Sequence, residues 1–345
     1  MARLSQLKVA MGTSIFFAAF IFAMFLSAIM FLLDFSLIYS IIGTILFILF
    51  QYLIGPFIIG ASSRLHYLKP GENQWLESIV KNLATKDGIP LPKLATVPNK
   101  TPNAFVFGRT SKSATLAVHE GLLTNLNKEE VEGVLAHELG HIKHKDYIVM
   151  TVLSALPLIA YIAAQTLFRA GMYSSFSNRK NKEGNSGLAL VVLGAISFLV
   201  YIITFLSVMR LSRLREHYAD AYSAYLTGNP RGLQSGLAKI TYGLSIIPQK
   251  STQVRAFYIG DPTMAKQEIQ TLMKNKQEYD LDKDGILNQV ELQRAMQKEA
   301  KSTWNSLNNW FSTHPPTFKR IMLLREIEKE MDTGRYSHKN VYSKI

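Results

Sequence analysis

Four stretches of this sequence contain no charged residue: Val9–Leu33, Phe35–Ser63, Tyr147–Phe168 and Gly187–Met209. Each reaches the roughly 20 apolar residues that a helix needs to cross a bilayer. That length restricts the fold. In hydrocarbon every backbone N–H and C=O must be satisfied within the segment, so these runs are expected to be helices. Pro56 and Pro157 fall inside two of them and are tolerable there. The first run is too long for a signal peptide and lacks a clear small-residue cleavage site, so it reads as an anchor. Arg3 and Lys8 precede the first run, Arg64 and Lys69 follow the second, and Asp34 alone separates the two. By the positive-inside rule this is a hairpin with both ends cytoplasmic. The expected organisation is a transmembrane hairpin over 1–63, a first catalytic segment over 64–146, two further spans over 147–209 and a second catalytic segment over 210–345. The third and fourth runs are expected to cross together, although the loop between them carries Arg169, Arg179, Lys180 and Lys182 against Glu183, the wrong sign for an outer loop.

The net charge of +13 has its explanation in these basic flanks. A nucleic-acid role would need a basic stripe interleaved with aromatic residues, and none is present. The chain has no cysteine, which excludes disulfides and thiolate metal ligands.

Between the second and third runs lies Val134-Leu135-Ala136-His137-Glu138-Leu139-Gly140-His141, an H-E-x-x-H pattern. Asn127 followed by Glu130 signals a helix start with a capping box. Val131, Val134, Leu135, Leu139 and Ile142 form an apolar stripe at helical spacing. Histidines four apart on a helix share one face and reach one metal ion, and the glutamate between them can handle a proton of a water at that metal. Catalytic zinc takes three protein ligands. His144 and Tyr147 exclude the extended pattern with a third histidine six residues on. The best later candidate is Glu216, which shares a helix face with Asp220, a residue suited to orient a ligand histidine from behind. His217 is the rival third ligand. Leu94–Val97, Ala104–Phe107 and Thr115–Val118 read as strands, giving a small sheet beside the H-E-x-x-H helix.

Several pieces then fall in a known order: Asn103-Ala104-Phe105 with Gly108, the HELGH helix followed by Asp146, SRLREHYADAYSA, and Thr313-His314-Pro315-Pro316-Thr317 with Arg320. In these the chain resembles the HtpX-type membrane zinc metallopeptidases, whose family includes the CAAX-processing prenyl-protein endopeptidases. The resemblance implies a mainly α protein with several membrane spans and a cytoplasmic zinc-peptidase domain of the gluzincin type, α+β in make-up. It implies one zinc ion held by His137, His141 and Glu216, with Asp220 behind. Glu138 is then the base, and His314 and Arg320 steady the substrate or the oxyanion. Asn103, Ala104 and Phe105 are then placed at the substrate, where an edge strand docks an extended chain by backbone pairing.

The acidic segment Asp280–Glu291 departs from that pattern. It fits an EF-hand loop, with oxygen ligands from Asp280, Asp282, Asp284, Asn288 and Glu291, the carbonyl of Ile286 and the turn at Gly285. Helix-forming sequence flanks it over about 265–300, so calcium is a second expected ion.

The expected protein is a multi-pass plasma-membrane zinc endopeptidase with its site facing the cytoplasm, and its partners are protein or peptide substrates and the bilayer. By resemblance it removes unfolded or damaged membrane proteins under stress. Two alternatives stand beside this: a processing peptidase of narrow specificity, and a calcium-responsive membrane protein whose zinc site is structural, closed by His144 or His217.

Overall fold

In the computed structural model, residues 2–32, 36–177, 186–245, 259–279, 281, 295, 312–334 and 341–342 are described. The calcium-loop candidates Asp280, Asp282, Asp284, Ile286, Asn288 and Glu291 lie outside these residues, as do Asp34 and the loop 178–185. The chain divides into two units, one of residues 8–55 and 148–211, the other of residues 1–7, 56–147 and 212–345.

The first unit draws on four helices: α1 (Ala2–Leu32), α2 (Leu37–Ser62), α6 (Asp146–Ser177) and α7 (Ser186–Thr227). Within them Ile41–Ser62, Asp146–Ser174 and Gly187–Thr227 are long and apolar enough to cross a membrane. In α1 the apolar stretch among the described residues is Gly12–Ser27. Phe22, Phe25, Leu153, Leu156, Ala160, Leu193 and Val200 form the buried centre of this unit. Small residues let α6 and α7 approach closely. A Cβ on Gly171 would stand 2.8 Å from the Gly187 carbonyl oxygen, and one on Gly194 would stand 3.0 Å from the Phe168 ring. That is the packing expected where helices associate without a hydrophobic driving force. Gln51 of α2 adds a polar tie, its Nε2 donating to the Thr151 carbonyl and the Ser154 hydroxyl, each at 3.1 Å. Ile45, Leu46, Leu49 and Leu53 of α2 are exposed, as are Val192, Ile196 and Leu199 of α7, which suits hydrocarbon as the surrounding solvent.

The second unit is α+β. Its sheet has the order β1-β2-β4-β3, from β1 (His66–Tyr67), β2 (Lys93–Val97), β3 (Ala104–Phe107) and β4 (Thr115–His119). The three strands read from the sequence are present, and the two-residue β1 is an addition too short to carry a pattern. β2 and β4 run parallel, with Ala95 opposite Ala117, while β3 is antiparallel to β4 at the edge, with Phe105 opposite Ala117. Helices α3 (Gln74–Lys86), α4 (Glu120–Asn125) and α5 (Lys128–His144) complete the first segment.

α5 is the H-E-x-x-H helix and begins as its sequence requires. The Asn127 side chain accepts from Glu130 N–H at 2.9 Å, and the Glu130 carboxylate accepts from Asn127 N–H at 2.8 Å. Glu130 is buried and also takes hydrogen bonds from Ser235 and Lys239 of α8 (Pro230–Ser245). The stripe of Val131, Val134, Leu135, Leu139 and Ile142 is fully enclosed in the core. α5 does not run unbroken into the third apolar run. Lys145 takes a left-handed conformation (φ 59°, ψ 34°) and α6 starts at Asp146. α7, by contrast, is one continuous helix that carries Gly187–Met209 and Glu216 alike.

Glycines set the distances around α5. A Cβ on Gly133 would lie 2.7 Å from the Leu233 nitrogen of α8, and one on Gly140 would lie 3.3 Å from the Ala219 Cα of α7. Gly140 therefore lets the Glu216–Asp220 stretch come against the histidine face. α9 (Pro262–Lys274) and α10 (Lys276–Tyr279) follow, broken at Asn275 where the sequence suggested one helix. The last described helix, α11 (Thr317–Asp332), packs with α9 on α8.

Candidate metal centre

Two turns of α5 present His137 and His141 on one face, with Nε2 atoms 3.2 Å apart. Glu216 of α7 meets both, Oε2 at 3.5 Å from His137 Nε2 and Oε1 at 3.5 Å from His141 Nε2. Three ligand atoms around tetrahedral zinc at about 2.0–2.1 Å stand about 3.3–3.4 Å from one another, so this triangle suits one ion. Glu216 Oε2 and both ring nitrogens of His314 are buried without a hydrogen-bond partner. Unsatisfied buried polar atoms are uncommon and call for a reason, and a metal held beside Glu216 would supply one.

Each histidine is backed by a carboxylate. His137 Nδ1 lies 3.0 Å from Asp220 Oδ1, and His141 Nδ1 lies 2.8 Å from Asp146 Oδ2. Such partners fix the tautomer and leave Nε2 free to face a metal. Asp220 was readable from its i, i+4 relation to Glu216. The part of Asp146 was not, because it depends on the left-handed turn at Lys145 and on Arg215, whose Nε and Nη2 grip Asp146 Oδ1 at 2.8 and 2.6 Å.

Glu138 is 4% exposed, and groups of His137, Glu138 and His141 lie within 4.8 Å of one another. Burial pushes its carboxyl above the ordinary range, opposed by His141 and His137. Of the two candidate fourth ligands, His144 is engaged with another group. His144 Nε2 is bonded to the Tyr342 hydroxyl at 2.8 Å among Tyr218, Tyr222 and Tyr342, and burial holds its pKa down at about 4. His217 follows Glu216 by about 100° around the helix, and its Nδ1 is buried without a hydrogen bond.

Arg320 and His314 are placed differently from each other. The Arg320 guanidinium is buried and directed at protein acceptors: Nε and Nη2 donate to Asp220 at 2.9 and 2.7 Å, and Nη1 donates to the Ile259 carbonyl at 2.5 Å. Its Nη1 also stands 3.3 Å from Glu216 Oε2. His314 Nδ1 lies 3.2 Å from the same oxygen. Asn103 is also braced inside the fold, its side-chain oxygen accepting Ile259 N–H at 2.9 Å. Ala104 and Phe105 follow it on the edge strand β3.

Histidine pair, buried carboxylate and interposed glutamate define a zinc metallopeptidase. Residues 70–328 match peptidase family M48, and the chain belongs to that family. It is similar to the "Protease HtpX homolog" of Aeropyrum pernix, 34% identical over 80% of this chain and 82% of that one. The protein of the same description from Thermococcus sibiricus is 35% identical over 82% of this chain and 83% of its own. Among solved structures, a crystal structure of S. mikatae Ste24p aligns with 94% of this chain and 67% of that chain, at 17% identity and a TM-score of 0.48.

Ligand and base separate by metal content. Glu138→Gln is expected to keep about one zinc per chain and lose proteolysis, whereas Glu216→Ala loses both. Metal analysis of the purified variants decides it: equal zinc in wild type and Glu216→Ala removes Glu216 from the ligand set.

Proposed function

We propose that the chain is a membrane-bound endopeptidase of broad specificity that cleaves unfolded or damaged membrane proteins, with zinc held by His137, His141 and Glu216. The observation that carries this reading is the triangle of His137, His141 and Glu216, in which Glu216 stands on a helix that continues an apolar span. Glu216 lies seven residues beyond Met209 on the same helix, about 10 Å at 1.5 Å per residue. That supports peptidase chemistry near a bilayer surface. When bound, the ion supplies Lewis acidity for the scissile carbonyl and for an attacking water.

The chain's own groups do the rest. Asp220 and Asp146 hold the two imidazoles in the tautomer that offers Nε2. Glu138 takes the proton of the attacking water and delivers it to the leaving amine. His314 donates a hydrogen bond to the carbonyl oxygen as negative charge develops there. Arg320 keeps Asp220 charged and in place. The edge of β3, at Ala104 and Phe105, pairs with the backbone of an extended substrate, which reads length and extension rather than sequence. That mode of docking favours an unfolded chain over one fixed processing signal.

The positive flanks at Arg3, Lys8, Arg64 and Lys69 orient the catalytic unit toward the cytoplasm of a plasma membrane. The Asp280–Glu291 loop adds calcium by its ligand pattern. Calorimetric titration of the full-length protein is expected to show calcium binding that Glu291→Gln weakens, and no heat at millimolar calcium excludes that ion.

The activity test uses protein purified in detergent and an unfolded protein substrate, with and without a zinc chelator. Cleavage that the chelator abolishes is expected; no cleavage by zinc-loaded protein refutes the function. His314→Ala is expected to lower kcat about a hundredfold at unchanged zinc content, and a wild-type kcat removes the donor role. For topology, a cysteine at Ser177 is expected to react with an impermeant thiol reagent in intact cells while one at Ser111 is shielded. Protection at Ser177 means that the third and fourth runs do not cross.

A further inference from the structure

Glu268 of α9 is 5% exposed, far from any role in holding a metal, and nothing in the packing of an apolar core calls for a carboxyl there. Its Oε1 accepts the backbone N–H of Thr317 at 2.9 Å, and its Oε2 is buried without a hydrogen-bond partner. Thr317 is the first residue of α11, and the residue before it, Pro316, has no side chain able to cap the helix. A glutamate on a different helix thus supplies the acceptor that the local sequence lacks. The Thr317 hydroxyl is tied at 2.8 Å to that of Thr241 on α8.

The other end of the same short turn is anchored as well. Ser312 Oγ accepts His314 N–H at 3.3 Å and donates to the His314 carbonyl at 2.8 Å, while the Ser312 carbonyl accepts Arg213 Nη1 at 2.8 Å. Between the anchors Pro315 and Pro316 have fixed φ. The position of His314 follows from where its two ends are pinned, and Thr317 also sets the start of the helix that carries Arg320. We infer that Glu268 is a positioning residue for the peptidase reaction: through Thr317 it seats the His314-Pro315-Pro316 turn at the metal centre. This rests on the reading of His314 as the donor to the carbonyl oxygen.

Burial pushes the Glu268 carboxyl up to about 7, against the hydrogen bond from Thr317 and the charge of Arg320 on α11, and with a small upward contribution from Asp261 at the start of α9. The group is therefore near its midpoint at neutral pH. A glutamine, which keeps the carbonyl acceptor and has the shape of the neutral acid, is a fair replacement.

The test uses full-length, zinc-loaded enzyme in detergent and an unfolded protein substrate. Glu268→Leu is expected to lower kcat about tenfold or more, with KM within about twofold and zinc content unchanged, because misplacing a donor by a fraction of an ångström costs transition-state stabilisation more than binding. Glu268→Gln is expected to restore kcat to within about threefold of wild type, since the bond to Thr317 survives. The double variant His314→Ala with Glu268→Leu is expected to be no slower than His314→Ala alone. A wild-type kcat in Glu268→Leu, with His314→Ala still slow, overturns the inference and leaves the donor role standing. Multiplied losses in the double variant also overturn it. A wild-type kcat in His314→Ala removes the donor role, and the inference with it. If Glu268→Leu loses zinc or fails to fold, Thr317→Pro serves instead. It deletes the same N–H at a helix position where proline is favoured, and Pro316 already has a backbone that accepts a following proline (φ −52°, ψ 138°). A wild-type kcat there overturns the inference equally.

Discussion

The candidate metal centre depends on Asp220, a carboxylate with no solvent exposure. Asp220 takes His137 on one side and Arg320 on the other. Arg320 reaches on to the Ile259 carbonyl, Ile259 N–H reaches Asn103, and the Asn103 carbonyl accepts from His119 at the end of β4. One line of polar contacts therefore runs from the H-E-x-x-H helix through α7 and α11 to the sheet. Burying such charges is expensive, and removing one partner from a buried pair generally costs about 3–5 kcal/mol because the other is left uncompensated. Each charge is tolerable only while the others are in place, so the four segments have little freedom to shift independently.

Close backbone approach makes that line possible. Gly140 stands within van der Waals range of Ala219, so α5 and α7 meet near the separation at which Glu216 spans both histidines. Asp146 and Arg215 close the other side, where the left-handed turn at Lys145 swings the chain from α5 into α6. The two histidines thus have similar carboxylate partners reached by unrelated routes: one from a distant helix face, one from a residue just beyond their own helix.

Within this frame the unsatisfied atoms are informative. Nearly every polar group around the centre is engaged with another protein group. Among the described residues, the atoms left without a hydrogen-bond partner include Glu216 Oε2, the two ring nitrogens of His314 and His217 Nδ1. Arg320 donates to Asp220 and Ile259, and its Nη1 also stands 3.3 Å from Glu216 Oε2. Arg320 and His314 thus both reach Glu216 Oε2 and differ in their other partners: Arg320 is also bound to Asp220 and Ile259, whereas the His314 ring nitrogens have no hydrogen-bond partner.

Much of this was legible in the chain alone. The uncharged runs dictated long helices, because period and length are local properties and hydrocarbon admits little else. The Asn127–Glu130 box and the apolar stripe located α5 with its histidines on one face, and the alternation of strand-like runs located three of the four strands. What needed the tertiary structure was every relation between residues distant in sequence. Nothing local separates Glu216 from its neighbour His217 as a partner of His137 and His141; the packing of α7 on α5 through Gly140 decides it. Nothing local says that Asp146 serves His141, that the Asn103 side chain meets Ile259, or that Glu268 caps a helix 49 residues away. A sequence specifies which groups are present and how they repeat along a helix or strand. Which of them meet is set by backbone approach and by the need to pair each buried charge, and those conditions are met only in the folded chain.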